Sequence, residues 1–455
     1  MAPADDDHSM ALFVAPAPEV WVAMRAARPA PDGAVQGRSF VSGMRRIGAE
    51  PHDQSGMNEG VFYPDPLAPR GIQPVSVPTR RRPTTGTARC LVLLVDFPDN
   101  AGARDPDELR DLLFSRATHP TGSLRDFYLE ASYGRLDLEG EVLGWLRMPQ
   151  PYAAYVNGQS GAGAYPRNTQ KLAEDAVELA RGLVDLAGFD ADGDGYLDGL
   201  FIVHAGGGAE AEVDPVARTE KIWSHQWTLF APAPVAGITA YAYCATPEDG
   251  RMGVFAHEFG HMLGLPDLYD TSGRSIGVGR WCLMGSGSWN GDGRSPSQLC
   301  AWAKARLDWI RPHLIGRPQA LRLPSSLRDS QATYRLWSSG AQGSEYYLIE
   351  ARSREGFDRA LPGSGLLVWR IDETKHDNAQ VGAYLVGLEQ ADGRHHLETN
   401  LNDGDDGDPF PGSIGVTRFD AALRPRFGQL GSGPAGVELD AIQETSGVVI
   451  AQVSI

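Results

Sequence analysis

The chain has 455 residues, with 41 Lys and Arg against 58 Asp and Glu, which gives a formal net charge of −17. Nucleic acids and anionic membrane surfaces are bound mainly by clustered lysine and arginine, so this balance disfavours both kinds of partner. The composition, 42% apolar and 22% charged, is typical of a globular protein. The best apolar run, 91–97, is far shorter than a bilayer requires, so we expect no transmembrane segment.

Residues 1–85 are expected to form a loosely folded leader or pro-segment followed by a linker, because they are rich in Pro, Ala, Gly and Arg. The N-terminus carries acids where a signal peptide would carry basic residues. Either the protein is cytosolic, or its export signal was removed or never included. No cysteine precedes Cys90, which disfavours a cysteine latency switch; an acid such as Asp53, or simple steric cover, is the alternative.

From Cys90 onward the pattern alternates between strands and helices, which predicts an α+β catalytic domain over residues 86–312. The predicted helices are 106–116, 123–132 and 168–186, and the predicted buried strands are 91–97 and 200–204. Ser123 and Asp126 have capping-box spacing at the start of the second helix. Beyond residue 312, short strand-like segments separated by Gly, Pro and Asp predict a β-rich C-terminal module over 313–455.

An acidic loop lies just before the strand at 200–204. Its carboxylates occupy positions 1, 3, 5 and 9 of a calcium-loop pattern, with glycine at position 6: Asp190, Asp192, Asp194 and Asp198. Phe201 stands where an EF-hand has its bidentate glutamate, so we predict a Ca²⁺ site of another geometry. A solvated acidic turn is the alternative. The run 402–411 is a second calcium candidate with less regular spacing.

The stretch 253–270 contains the residues that point to catalysis. His257 and His261 are four residues apart, so on a helix both imidazoles lie on one face and can reach one metal ion. Glu258 lies beside them, where it can take the proton of a water that zinc has acidified. Such a pattern arises by chance in a chain of this composition with a frequency on the order of one in a hundred, which disfavours an incidental buried helix.

Two histidines leave zinc short of the three protein ligands that a catalytic site normally has. Gly264 can end the helix in a left-handed conformation, and Asp267 then stands where HExxHxxGxxH proteins have their third histidine. We predict Asp267 as the third ligand, with Asp270 and Glu350 as alternatives. Met284, in a glycine-rich turn downstream, is predicted to form an apolar floor beneath the ligands.

These motifs resemble those of the immune inhibitor A-like zinc metallopeptidases, which are secreted bacterial endopeptidases. The resemblance rests on the segments 91–98, 123–134, 222–225, 257–270, 283–289 and 365–372. It implies a metzincin-like catalytic domain and zinc-dependent hydrolysis of peptide bonds, with His257 and His261 as ligands and Glu258 as general base.

One expected residue is missing from this pattern. No tyrosine follows Met284 at the short spacing that some metzincins use to stabilise the oxyanion, so His225 or Tyr269 is the candidate for that role. Cys282 and Cys300 flank the Met284 loop and either form a bridge or remain two buried thiols.

The sequence therefore predicts a secreted zinc endopeptidase that acts on proteins or peptides, with Zn²⁺ and Ca²⁺ as cofactors and an oligomeric state that is left open. Secretion is favoured by the family resemblance and by the acidic loops that calcium would neutralise. One alternative is a catalytically silent, calcium-stabilised binding or adhesion module. Another is a zinc hydrolase that acts on non-peptide amides or esters.

Overall fold

The computed structural model describes residues 12–26, 84–235, 237–338, 342–375, 377–423 and 436–455. Asp53 and most of the expected leader lie outside these ranges. The described chain divides into two compact units, the first comprising 12–26, 84–128 and 136–264 and the second comprising 129–135 and the described residues from 265 onward. Helices and strands are mixed along the chain, in agreement with the α+β prediction. The predicted domain boundaries remain predictions.

The first unit is built on a six-stranded sheet. Its strands are β1 (Leu12–Phe13), β2 (Gly86–Asp96), β3 (Leu136–Arg147), β4 (Gly199–His204), β5 (His225–Val235) and β6 (Ile238–Pro247). They lie in the order β1-β5-β6-β4-β2-β3. Strands β3, β2, β4 and β6 are parallel, whereas β5 is antiparallel to β6 and β1 is antiparallel to β5. Parallel strands need covered faces, which explains the continuous apolar runs of β2 and β4.

Seven α-helices precede residue 263 in the described ranges. They are α1 (Pro18–Ala26), α2 (Pro106–Phe114), α3 (Leu124–Ala131), α4 (Tyr152–Val156), α5 (Thr169–Ala180), α6 (Pro215–Thr219) and α7 (Met252–Met262). The predicted capping box is confirmed: the Ser123 amide donates to Asp126 Oδ2 at 3.1 Å, and the Asp126 amide donates to Ser123 Oγ at 3.0 Å. The prediction that a helix continues to residue 186 is wrong, because Arg181 leaves the helical conformation and Gly182 has φ +84°.

The described N-terminal segment is part of the first unit. Strand β1 pairs with β5, and the side chains of Phe13 and Trp21 are buried. The indole Nε1 of Trp223 donates to the carbonyl oxygen of Val14 at 2.9 Å. The expectation of a loosely folded leader is therefore wrong for residues 12–26, although the role of residues 1–85 as a pro-segment stays a prediction.

The second unit contains helix α8 (Ala301–Arg306) and two sheets. Its strands are β7 (His313–Leu314), β8 (Gln319–Pro324), β9 (Thr333–Trp337), β10 (Glu345–Arg352), β11 (Gly365–Asp372), β12 (Val386–Leu388), β13 (Phe419–Asp420), β14 (Glu438–Thr445) and β15 (Val448–Ser454). The sheet orders are β12-β11-β10-β9-β7 and β13-β14-β15-β8. Both sheets contribute to one hydrophobic core, with Ile349 and Val368 from the first sheet and Leu323 and Val449 from the second. None of the described helices is long and apolar enough to cross a lipid bilayer.

Substitution of valine by alanine removes two methyl groups, and the resulting loss in the free energy of unfolding should differ greatly between a buried and an exposed valine. Val203 in β4 is fully buried, whereas Val216 in α6 is 74% exposed. We expect Val203→Ala to lower the free energy of unfolding by about 2 kcal/mol, because apolar contact is lost and a cavity is left. The matched change Val216→Ala should shift it by less than about 0.5 kcal/mol. Urea unfolding followed by tryptophan fluorescence measures both, and equal losses would contradict this account of the core.

Candidate metal centre

Helix α7, which carries the predicted metal-binding motif, is buried along its whole length. The Tyr128 hydroxyl donates to the carbonyl oxygen of Ala256 at 2.6 Å, and the ring of Tyr128 contacts that of Phe259 with centroids 5.1 Å apart. From strand β6, the Cys244 thiol donates to the carbonyl oxygen of Glu258 at 3.4 Å. A helix buried on all sides cannot hydrate its polar side chains, so those side chains need partners within the protein or an ion.

The two histidines of α7 have the geometry of ligands to one metal ion. His257 and His261 are buried, and their Nε2 atoms lie 3.1 Å apart. Nitrogens bound to one tetrahedral zinc at the usual bond length would lie about 3.3 Å apart. A carboxylate oxygen of Asp267 completes the group, whose three ligand atoms all lie within 4.8 Å of one another. Two imidazoles and one carboxylate are a donor set of catalytic zinc sites, so these residues fit a zinc ion.

The backbone after α7 determines where Asp267 lies. Gly264 has φ +85° and its amide donates to the His261 carbonyl oxygen at 2.8 Å, which ends the helix as predicted. The Leu268 amide then donates to the Met284 carbonyl oxygen at 2.8 Å. Met284 itself is fully buried. The methionine loop therefore holds the residue next to Asp267 by a backbone hydrogen bond, a role that the sequence did not indicate.

The two alternative third ligands are engaged elsewhere. Asp270 accepts hydrogen bonds from the amides and hydroxyls of Ser272 and Ser275 at 2.5–2.9 Å. Glu350 accepts from the Ala301 amide at 3.1 Å, the Ser326 hydroxyl at 2.7 Å and the Trp369 indole at 2.9 Å. Protein donors thus satisfy both carboxylates, which supports Asp267 as the ligand.

His225, a candidate for stabilising the oxyanion, is held in a buried hydrogen-bond network. Its Nδ1 lies 2.6 Å from the Trp223 carbonyl oxygen, which can only accept, so Nδ1 carries the proton. Its Nε2 lies 2.8 Å from the Thr169 hydroxyl. Burial lowers the pKa of His225 to about 4, so the ring is neutral and Nε2 accepts. This arrangement supports a structural role for His225, while Tyr269, which is buried, remains a prediction for the oxyanion.

The acidic loop before β4 is only partly as predicted. Asp190, Asp192 and Asp194 place ligand atoms within 4.8 Å of one another, and calcium there stays a prediction. Asp198 does not belong to this group. Its carboxylate accepts from the Arg89 amide of β2 at 2.7 Å and from the Ala191 amide at 3.0 Å, and burial raises its pKa to about 7. These bonds give Asp198 a structural contact with β2, and its role as a calcium ligand stays a prediction.

Two further observations concern the second unit. Cys282 and Cys300 are buried free thiols, with the Cys300 amide donating to Cys282 Sγ at 3.3 Å. Asp392, His396 and Asp405 form a second mixed group of potential metal ligands. Only Asp405 belongs to the acidic run predicted at 402–411, and no sequence spacing indicated the other two.

Comparison with known proteins decides the family. Residues 79–317, just over half of the chain, match the family described as immune inhibitor A peptidase M6, catalytic domain. The chain belongs to this family. The M6 match confirms the resemblance drawn from the sequence motifs and includes the whole of α7 and the Met284 loop.

Two curated relatives of this M6 chain are a pre-pro-metalloprotease and an immune inhibitor A. The chain is 33% identical over 270 residues to pre-pro-metalloprotease PrtV of Vibrio cholerae serotype O1 (strain M66-2), covering 48% of the chain and 29% of PrtV. It is 36% identical over 203 residues to immune inhibitor A of Bacillus thuringiensis subsp. alesti, covering 37% of the chain and 29% of that relative. The matched region thus spans less than a third of the length of either relative.

Matched aspartate substitutions test the third ligand of the M6 site. We expect Asp267→Asn to weaken zinc binding more than about 100-fold, because it removes a charged ligand. Asp270→Asn should keep its zinc and instead lose about 1–3 kcal/mol of stability, because it disrupts the bonds to Ser272 and Ser275. Zinc content after dialysis against a competing chelator, together with thermal unfolding, separates the two effects. Zinc loss in the Asp270 variant alone would reverse the assignment.

The buried, neutral His225 should make stability depend on pH. Its folded pKa of about 4 lies below the ordinary value of 6.5, so the unfolded chain binds the extra proton between these values. Stability should therefore fall as the pH decreases through this window. From pH 7 to pH 5 the wild type should lose about 2 kcal/mol more than His225→Gln, which can keep both hydrogen bonds without titrating. Urea unfolding at the two pH values measures this difference, and equal losses would contradict it.

Proposed function

We propose that this M6 family member is a zinc-dependent endopeptidase that hydrolyses peptide bonds in proteins or peptides. The observation that carries the proposal is that a carboxylate oxygen of Asp267 lies within 4.8 Å of the ligand atoms of His257 and His261, on the buried helix that also bears Glu258. The name of the relative PrtV, a pre-pro-metalloprotease, supports metal-dependent proteolysis as the activity. The same name refers to a processed precursor, and we propose that this chain too is a secreted zymogen.

The chemistry divides between the metal and the chain. A zinc ion held by the three ligands would lower the pKa of a bound water and polarise the scissile carbonyl. Glu258 would take the proton from the attacking water and deliver it to the leaving amine. Because α7 is buried, Glu258 has little freedom to move, which suits a base that must meet the water in one geometry.

Residues around the three ligands and Glu258 would hold the site in place without taking part in proton transfer. Met284 is proposed as the apolar floor of the site, and its carbonyl oxygen fixes the Leu268 amide next to Asp267. Gly264 provides the left-handed backbone that lets Asp267 turn back toward the histidines. Tyr269 is the remaining proposed stabiliser of the oxyanion.

Replacement of the base should separate zinc binding from catalysis. We expect Glu258→Gln to keep zinc and fold but to lower kcat/KM for casein about 10²–10⁴-fold, because proton transfer is lost while the ligands remain. Glu178→Gln is a matched control, since the Glu178 side chain is 69% exposed and far along the sequence from the motif. Casein cleavage with and without chelator, and zinc content by mass spectrometry, are measured for all three proteins. Undiminished, chelator-sensitive cleavage by Glu258→Gln would overturn the proposed role.

A further inference from the structure

We propose that the second unit binds a second divalent metal ion of the zinc type, through Asp392, His396 and Asp405. One potential ligand atom from each of these residues lies within 4.8 Å of the other two. Asp392 and His396 belong to the turn that follows β12, and Asp405 belongs to the loop that begins at Asn402. The group shares no residue with the centre on α7.

The first support is a buried carboxylate oxygen. The Asp392 side chain is only 1% exposed, and its Oδ1 accepts from the Arg394 amide at 2.9 Å. Its Oδ2 is buried and accepts no hydrogen bond in the described structure. Arg394 Nε lies 3.5 Å away on a side chain that is 57% exposed, so water screens this ion pair. A buried anionic oxygen without a donor is costly, and a bound cation would compensate it.

The second support is the space at Gly407. A Cβ atom added there would lie 3.0 Å from Asp405 Oδ1 and 3.1 Å from Asp392 Oδ2. Two carboxylates from different parts of the chain therefore converge beside Gly407, where a larger residue would crowd them. The Gly407 amide donates to Asp405 Oδ1 at 2.8 Å, which fixes one side of this opening.

The third support is the orientation of His396. The amide nitrogen of Asn402 lies 3.0 Å from His396 Nδ1 and donates to Asp405 Oδ2 at 2.7 Å. The other end of this amide accepts from the Gly404 amide at 2.9 Å, which determines which end faces His396. His396 Nδ1 and Asp405 Oδ2 thus both face the amide nitrogen of Asn402, which holds these two potential ligand atoms close together.

The local charge also favours a cation. Asp408, which is buried, accepts from the Trp281 indole at 2.9 Å and from the Asp405 amide at 3.0 Å. Asp408 therefore adds a third carboxyl group next to Asp405.

The donor types select the class of ion. Ca²⁺ and Mg²⁺ prefer all-oxygen sites, whereas one imidazole with two carboxylates suits zinc and similar divalent transition metals. Such an ion would link the turn at 392–396 to the loop at 402–408, and we assign it a structural role.

Zinc stoichiometry of the full-length protein tests this proposal. The chain is stripped with chelator, reloaded with Zn²⁺, dialysed and analysed by mass spectrometry. We expect two zinc ions per wild-type chain, one in His396→Gln and one in the double variant His257→Ala and His261→Ala. The matched control is His395→Gln, since His395 is the adjacent histidine and its side chain is 44% exposed. This control should keep two zinc ions, and His396→Gln should still cleave casein if the chain is a protease.

Several results would overturn the second site. One is a single zinc ion in the wild type that His396→Gln retains. Another is an unchanged count of two in His396→Gln. Displacement of the second zinc by millimolar Ca²⁺ would overturn the assignment of the ion class. If His396→Gln fails to fold, Co²⁺ titration of the stripped wild type and of the His257 and His261 double variant still decides. Two equivalents of Co²⁺ bound by the wild type and one bound by the double variant support the site. One equivalent bound by the wild type and none bound by the double variant exclude it.

Discussion

The candidate site depends on the burial of α7. Burial of two imidazoles and a carboxylate on one helix is costly unless each polar group finds a partner. An ion bound by the histidines would offset that cost, and metal binding and folding of this region would then be coupled. Helix α7 packs against β5 and β6 of the six-stranded sheet, and sites built on helices and strands are positioned more precisely than sites on loops.

Features that depend only on residues close together in the sequence were predictable. The capping box at Ser123, the i,i+4 histidines and the glycine that ends α7 each depend on a few neighbouring residues, whose spacing fixes the local geometry. Features set by distant partners were not predictable. The side chain of Asp198 turns to the Arg89 amide 109 positions away, and strand β1 finds its partner more than 200 residues downstream.

The choice among three acids for the third ligand shows the same limit. Asp267, Asp270 and Glu350 are equivalent in charge, and the sequence could rank them only by position. The structure separates them by hydrogen bonding, because serines surround Asp270 and several donors converge on Glu350. The group around Asp392 was not predicted for a related reason: its members are irregularly spaced in the sequence, and Asp392 and Asp405 come close together beside Gly407.

Strand β1 has a consequence for any shortened form of the protein. It covers the outer edge of β5 at His225 and Gln226, and the residue after it, Val14, supplies the carbonyl oxygen to which the Trp223 indole donates. A chain that began at residue 84 would present a bare sheet edge beside a newly exposed apolar hollow, a combination that invites intermolecular strand pairing and aggregation. A peptide corresponding to residues 12–26, supplied separately, would be expected to bind that edge and restore a soluble protein by strand complementation.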